Sequence, residues 1–411
     1  MGYLAINFNP KSYYPMRVKI KVKPEDFQVE EEAALPIKDR GDFVLYRLKK
    51  KGWNTVELLR LLSRRLKIAP GSFAYGGRKD RHGLSSQYIT IRSGEGLPLS
   101  LKEEDYSLEP IGFMERPMGP DLIKENRFHI TIRGLQGKYA GNLLRQAEIA
   151  QKEGYPNYFD DQRFGSLDKE QGFIAEKILK GHLNGALKIY LTSIYKGNNR
   201  PFRDRRRFLS EHWGDWQRCL EASPGGFEKY AFACLLRDPK GFVPLLCAIP
   251  KEEMSMFFSA YQSYLWNEVL RRMILSLFSS VNVQDYPGLA GDYVFYDRLN
   301  KEGRGYLLPL AIPMLGRSMK IPQGPCKDIY SQVLSERGIT PALFNKIKVR
   351  QVFFKPFDRQ AIIVPSDFSF SQEKDELYRG KVKLNLEFSS PSGSYATILV
   401  KRMCVFSRTQ N

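Results

Sequence analysis

The stretch Tyr75–Gln87 reads YGGRKDRHGLSSQ. Gly76 and Gly77 permit a tight or left-handed backbone ahead of the charges. Arg78, Lys79, Asp80, Arg81 and His82 then set one carboxylate among four potential cations. Gly83 follows, and residues 87–91 (QYITI) have the composition of a strand. Asp80 is therefore expected on a loop presented by rigid elements, a common setting for catalytic groups. Nearby cations favour the ionised carboxylate, which suits a nucleophile or base better than a general acid. The same residues also fit a solvated loop in which Asp80 balances its neighbours.

Outward from this stretch, the chain alternates between strand and helix signals. Residues 16–22 (MRVKIKV) and 42–48 (DFVLYRL) read as strands. Asn54 or Thr55 can cap a helix whose apolar face is Leu58, Leu59, Leu61, Leu62 and Leu66. Its basic residues, Arg60, Arg64, Arg65 and Lys67, suit a helix C-terminus and could also meet phosphate. Pro70 ends the helix. Residues 93–120 read as loops. ENRFHITIRG (125–134) predicts a strand with Phe128, Ile130 and Ile132 on one face and His129 on the other. Residues 143–149 read as helix, and further helices are expected over 168–180, 183–194, 226–237 and 252–277. The last carries the core stripe Met254, Phe257, Phe258, Tyr261 and Leu265. Residues 288–324, rich in Gly and Pro, read as loops and short strands. Strands are expected again at 361–364, 383–388 and 396–402.

The 411 residues suffice for two domains, and the net charge of +19 points to an anionic partner, nucleic acid first and an anionic membrane surface second. No apolar run is long enough for a membrane span, and MGYLAINFNP does not read as a signal peptide. Five dispersed cysteines form no C-x-x-C pair and four histidines no H-x-x-x-H, which argues against disulfides and zinc and fits a reducing cytosol. The densest basic run, KGNNRPFRDRRRF (196–208), makes Arg203, Arg205, Arg206 and Arg207 candidates for RNA contact, with Phe202 and Phe208 available to stack on bases. A solvated loop of salt-bridged arginines is the alternative.

Gly77-Arg78-Lys79-Asp80, with Gln87 beyond it, resembles the G-x-K-D motif of the TruD family of RNA pseudouridine synthases. Three more stretches resemble that family's motifs in order: KPEDFQVEE (23–31), NYFDDQRFG (157–165) and PSGSYAT (391–397). Asn126 and Phe128 match its N-x-F-x-[IL] strand, and Ser263, Trp266, Asn267 and Val269 match a helix motif. The resemblance implies that Asp80 is the catalytic carboxylate. It places Lys21 beside that carboxylate and Phe27 beside the target base. It makes Lys79, Asn126 and Phe128 further substrate-site residues, and Arg163, within the third motif, an RNA-contact candidate. Asp160 stands where the family has glycine, a change that could alter a turn or set an acid near RNA.

The expected fold is α+β: a discontinuous catalytic domain with a mainly antiparallel sheet, formed by 1–155 and 357–411, plus an inserted α/β domain over 156–356. The expected function is isomerisation of uridine to pseudouridine, at position 13 of tRNA, by a cytoplasmic monomer. No metal, no organic cofactor and no membrane contact are expected, and other structured RNA is a possible further partner. The rival from another class is a non-catalytic RNA-binding protein or tRNA chaperone on the same scaffold. A hydrolase such as a nuclease would need a second carboxylate or a metal, and Glu25, Asp26, Asp160 and Asp161 show no metal-set spacing.

Overall fold

Alternating apolar runs build one large sheet. In this computed structural model the described residues are 18–79, 81, 83–94, 97, 99–195, 197–279, 282–349 and 354–407. The chain divides into two compact units, residues 1–155 with 363–411, and residues 156–362.

The first unit holds a nine-stranded sheet: β1 (Phe27–Ala33), β2 (Phe43–Lys51), β3 (Phe73–Tyr75), β4 (Leu84–Arg92), β5 (Leu101–Lys102), β6 (Tyr106–Met114), β7 (Ile123–Leu135), β8 (Ser366–Lys374) and β9 (Val382–Pro391). The order is β8-β9-β7-β1-β4-β2-β6-β5, with β3 added beside β4. Every pair is antiparallel except β1 with β4. The fold is thus α+β with a mostly antiparallel sheet, as expected.

Helix α1 (Thr55–Leu66) is capped by Asn54, whose side chain accepts from the Val56 amide at 2.9 Å. Its Leu58, Leu59 and Leu62 pack on Val44, Tyr46, Leu48, Ile89 and Ile91 of the sheet. Helix α2 (Gly137–Glu153) packs on β8 and β9 and against a C-terminal helix, Ala396–Phe406. One end of β7 is tied down by charge. Buried Arg133 pairs with Asp26 at 2.8 Å, Asp375 at 3.1 Å and Glu376 at 2.9 Å.

Several local expectations are corrected. Residues 396–402, read as a strand, are helical. Ten of the eleven residues of that helix, all but Thr397, are buried, and an element enclosed on nearly every side is stabilised by packing rather than by the β-propensity of its Ile and Val. Residues 93–120, read as loops, contain β5 and the nine-residue β6. Strand β8 was not read as a strand: only Phe368 and Phe370 alternate in SDFSFSQEK, and the other seven residues are polar. Among the described part of 16–22 only an isolated bridge forms, Lys19 to Arg133, because Lys21 takes a left-handed conformation at φ 59°.

The second unit is mainly helical: α3 (Ile174–Leu179), α4 (Leu183–Thr192), α5 (Arg200–Glu211), α6 (Trp216–Ala222), α7 (Gly226–Arg237), α8 (Phe242–Ala248) and α9 (Lys251–Leu277), with further short helices and two-stranded ribbons. The expected stripe on α9 is buried. Residues 168–173 are a turn closed between Asp168 and Gly172 rather than helix. The basic run, for which a solvated loop was the alternative, is α5, started by an Asn199 cap on the Phe202 amide at 3.0 Å and by Pro201 in the first turn. Among the described residues no helix is long and apolar enough to cross a membrane.

Candidate active site

Strand β3 pairs with residues 89–91 of β4 while β1 pairs with residues 84–86 of the same strand. The loop from Gly76 to Gly83 therefore leaves and re-enters the sheet beside β1. Asp80 and His82 lie outside the described residues. A side chain at Gly76 would overlap Ile123 and press on the Gly119 carbonyl, so close approach requires glycine there. Gly83 sits at φ 134° against the Phe27 carbonyl, which no L side chain tolerates well.

Three buried side chains hold the backbone of this loop. Thr55 Oγ1 accepts from the Lys79 amide at 2.9 Å and donates to Gln87 Oε1 at 2.8 Å. Gln87 Nε2 donates to the Gly77 carbonyl at 3.2 Å. Lys50 Nζ donates to the carbonyls of Trp53 at 2.6 Å and Lys79 at 3.2 Å. Thr55, Gln87 and Lys50 are all at most 2% exposed, so these bonds compete little with water.

The Lys79 side chain turns to the sheet. Glu31 and Asn126 are direct cross-strand neighbours on β1 and β7, and Lys79 bridges them. Its ammonium is 3.1 Å from Glu31 Oε1 and donates to Asn126 Oδ1. Glu31 Oε2 accepts from the Tyr88 amide at 2.9 Å. Burial pushes the Glu31 carboxyl above the usual range, opposed by the Lys79 charge and the Tyr88 amide. Arg81 pairs with Glu57 of α1.

Lys21 Nζ lies 4.0 Å from the centre of the Phe27 ring, a cation–π contact. Phe27 meets Phe128 edge-on at 6.4 Å, and Phe128 stacks on Phe388 at 5.4 Å. Phe388 in turn stacks on Phe368 at 5.5 Å. Phe27 and Phe128 are 7% and 5% exposed. The two rings are brought together as a buried aromatic row, with one face of Phe27 occupied by the lysine. His129 projects to the other face, 3.5 Å from Glu387.

The arginine candidates lie in the second unit. Arg203 and Arg207 are exposed on α5. Arg205 and Arg206 turn inward: Arg205 is 3.0 Å from Glu228, Arg206 Nη1 donates to the Tyr190 carbonyl at 2.8 Å, and both guanidinia lie against the Phe202 ring. Burial holds the Arg206 guanidinium below its ordinary pKa, against the Glu228 charge. Arg163 stacks on Phe159 at 5.5 Å. Arg359 also lies over that ring, at 4.0 Å, and its Nε donates to the Asn157 carbonyl at 2.9 Å. Asn267 locks the Phe159 peptide from both sides, at 2.9 Å each.

The sequence pattern of the family described as "tRNA pseudouridine synthase D (TruD)" matches residues 10–403. This chain belongs to the TruD family. A relative from Leptospira interrogans, named tRNA pseudouridine synthase D, is 31% identical over 399 residues, 95% of this chain and 96% of its own. A "Probable tRNA pseudouridine synthase D 1" from Methanococcus maripaludis is 32% identical, covering 94% and 99% of the two chains. The crystal structure of a putative TruD from Methanosarcina mazei superposes with a TM-score of 0.69 at 25% identity, over 98% of this chain and 96% of that one.

Two of the TruD motifs prove to be one lock: NYFDDQRFG supplies Phe159 and the helix motif supplies Asn267. Asp160, the departure from the TruD pattern, sits at φ −85°, where glycine has no advantage, and its Oδ1 accepts the Asp161 amide at 2.8 Å. Sequence reading did not single out Lys50 or Glu31. A strict count of two along β2, from Val44 through Tyr46 and Leu48, lands Lys50 on the core face. The same count along β1, from Phe27 through Val29, lands on Glu31.

Proposed function

We propose that this chain isomerises uridine to pseudouridine in tRNA, at position 13, with Asp80 as its catalytic carboxylate. The observation that carries the reading is the grip on Lys79, the residue beside Asp80. Its amide, its carbonyl and its ammonium are each held by a buried partner. That is the preorganised support a reacting group needs. Membership of the TruD family supplies the reaction class.

The target uridine must leave its stack to expose C1′, at a cost of a few kcal/mol. Asp80 either attacks C1′ or removes the 2′ proton. The C1′–N1 bond breaks, the uracil turns, C1′ bonds to C5, C5 loses its proton and N1 gains one. Atoms and electrons balance without an oxidant or a further reactant. Lys21, Phe27, Asn126 and Phe128 form the uridine site with Lys79. Arg163, Arg203 and Arg207 meet RNA phosphates, while Arg205 and Arg206 steady α5. The chain acts as a monomer in the cytoplasm.

The test is tritium release from tRNA labelled at uracil C5, with wild type and Asp80→Asn in parallel. Release by wild type alone is expected, with equal tRNA binding by both proteins. Pseudouridine made by Asp80→Asn would sink the assignment of Asp80, and tight binding without release by either protein would favour a non-catalytic role.

A further inference from the structure

Asn126 is 5% exposed, and its amide faces a lysine. An ammonium only donates, so the atom that meets it must be Oδ1. The amide is thereby oriented, with both Nδ2–H donors on the other side. Among the described residues Nδ2 has no hydrogen-bond partner. An oriented amide whose two donors are both unspent, on a residue 5% exposed, is placed to meet a ligand's acceptor.

Lys79 alone would not hold this orientation. A cation in so dry a setting is stable only beside a counter-charge. Glu31 is that counter-charge: its side chain is fully buried, 3.1 Å from the ammonium, and fixed through Oε2 by the Tyr88 amide. Remove the Glu31 charge and Lys79 is drawn toward water, which frees the Asn126 amide to turn over. Uracil presents two carbonyl oxygens and needs donors facing them. A reversed amide would offer an oxygen to an oxygen.

Resting on the proposed function, we infer that Glu31 is a positioning residue which, through Lys79, fixes Asn126 as a hydrogen-bond donor to a carbonyl oxygen of the target uracil. The line runs across the sheet, from β1 to the loop to β7, and ends on the substrate.

Two measurements test it, both by tritium release from full-length protein. The first is Asn126→Asp, which keeps the oxygen that meets Lys79 and replaces the donor with an acceptor. Loss of kcat/KM on the order of 10- to 100-fold is expected, with tRNA affinity unchanged. Activity within about twofold of wild type overturns the inference and points to a ribose hydroxyl, which can reverse its own polarity. The second is a double-mutant cycle of Glu31→Gln with Asn126→Ala. Glu31→Gln should cost on the order of 10-fold alone and no more than about twofold once Asn126 is gone. Losses that multiply overturn the inference, since a merely structural glutamate would weaken both backgrounds equally. If Glu31→Gln does not fold, the same cycle runs with Glu31→Leu/Lys79→Met, which swaps the buried pair for apolar side chains. Wild type that releases no tritium would overturn the functional reading and this inference together. An active wild type with multiplying losses would overturn the inference alone.

Discussion

Replacing Thr55 with valine separates positioning from folding, because valine keeps the shape and removes one oxygen. That oxygen accepts from the Lys79 amide at 2.9 Å and donates to Gln87 Oε1 at 2.8 Å. Thr55 and Gln87 are 0% and 1% exposed, so water does not readily replace either bond. Two buried groups lose their partner, at about 1 kcal/mol or more each, for a total of roughly 2 kcal/mol. The loss can be met in two ways. If the sheet and α1 must distort, the whole of it appears as a lower Tm. If the loop opens locally, Tm barely moves and the fraction of molecules with a competent loop falls by roughly 30-fold. The local outcome is expected, because α1 and β4 keep their own core of Leu58, Leu62, Ile89 and Ile91. Tritium release and thermal unfolding of Thr55→Val, with Thr55→Ser as the variant that keeps the hydroxyl, decide it. Thr55→Ser should stay within a few-fold of wild type. Wild-type turnover by Thr55→Val would refute the claim that the Thr55 hydroxyl positions the loop.

Arg133→Met should lower Tm by roughly 6–20 °C, since it strands the buried Asp26 and Asp375 carboxylates at a cost of about 3–5 kcal/mol. The same cluster sets an acid limit. Burial alone would raise the Asp375 carboxyl, but the Gly134 and Leu377 amides and the Arg133 charge outweigh it and hold it below the usual range. Arg133 and Lys383 do the same for Glu376. Depressed carboxylates stabilise the fold above the unfolded value, about 4, and that contribution is lost as pH falls through the folded values. Tm measured from about pH 7 down to 3 should therefore fall at the acid end, and fall less steeply in Asp375→Asn. On α5, Arg203→Glu/Arg207→Glu should weaken tRNA binding and flatten its salt dependence by about 0.9 per lost phosphate contact, with Tm unchanged. Arg206→Met should instead lower Tm, because it leaves Glu228 short of a partner.

Legibility followed the local signals. Strands β4 and β7 and helix α1 could be read because their apolar periods are long and each packs one face on the core. Asn126 and Phe128 were singled out by their resemblance to the TruD N-x-F-x-[IL] strand, and the structure buries both on the face that carries Ile130. The C-terminal helix was misread because Ile and Val normally favour strands, and only its burial against α2 decides otherwise. The conformation of the basic run was not read, because charge density says nothing about it, whereas an Asn cap followed by proline does. Phe27 was expected beside the target base and Phe128 as a further substrate-site residue. Their row with Phe388 and Phe368 depends on β9 and β8, more than 200 residues away in the sequence.

The charges around Asp80 show where sequence reading stops. Along the chain Asp80 sits among Arg78, Lys79, Arg81 and His82, and the expectation was that these cations keep it ionised. In space, two of them answer to other carboxylates: Lys79 to Glu31, 48 residues earlier, and Arg81 to Glu57. A cation already beside an anion gives little net field to a third group. Lys21 differs in kind. Its ammonium rests on the Phe27 ring, 4.0 Å from the ring centre. Its backbone is also held left-handed, at φ 59°, a conformation a lysine keeps only where its surroundings impose it. Lys79 spends its charge on Glu31 and its hydrogen bond on Asn126, so adjacency in the sequence and adjacency in charge are separate facts here.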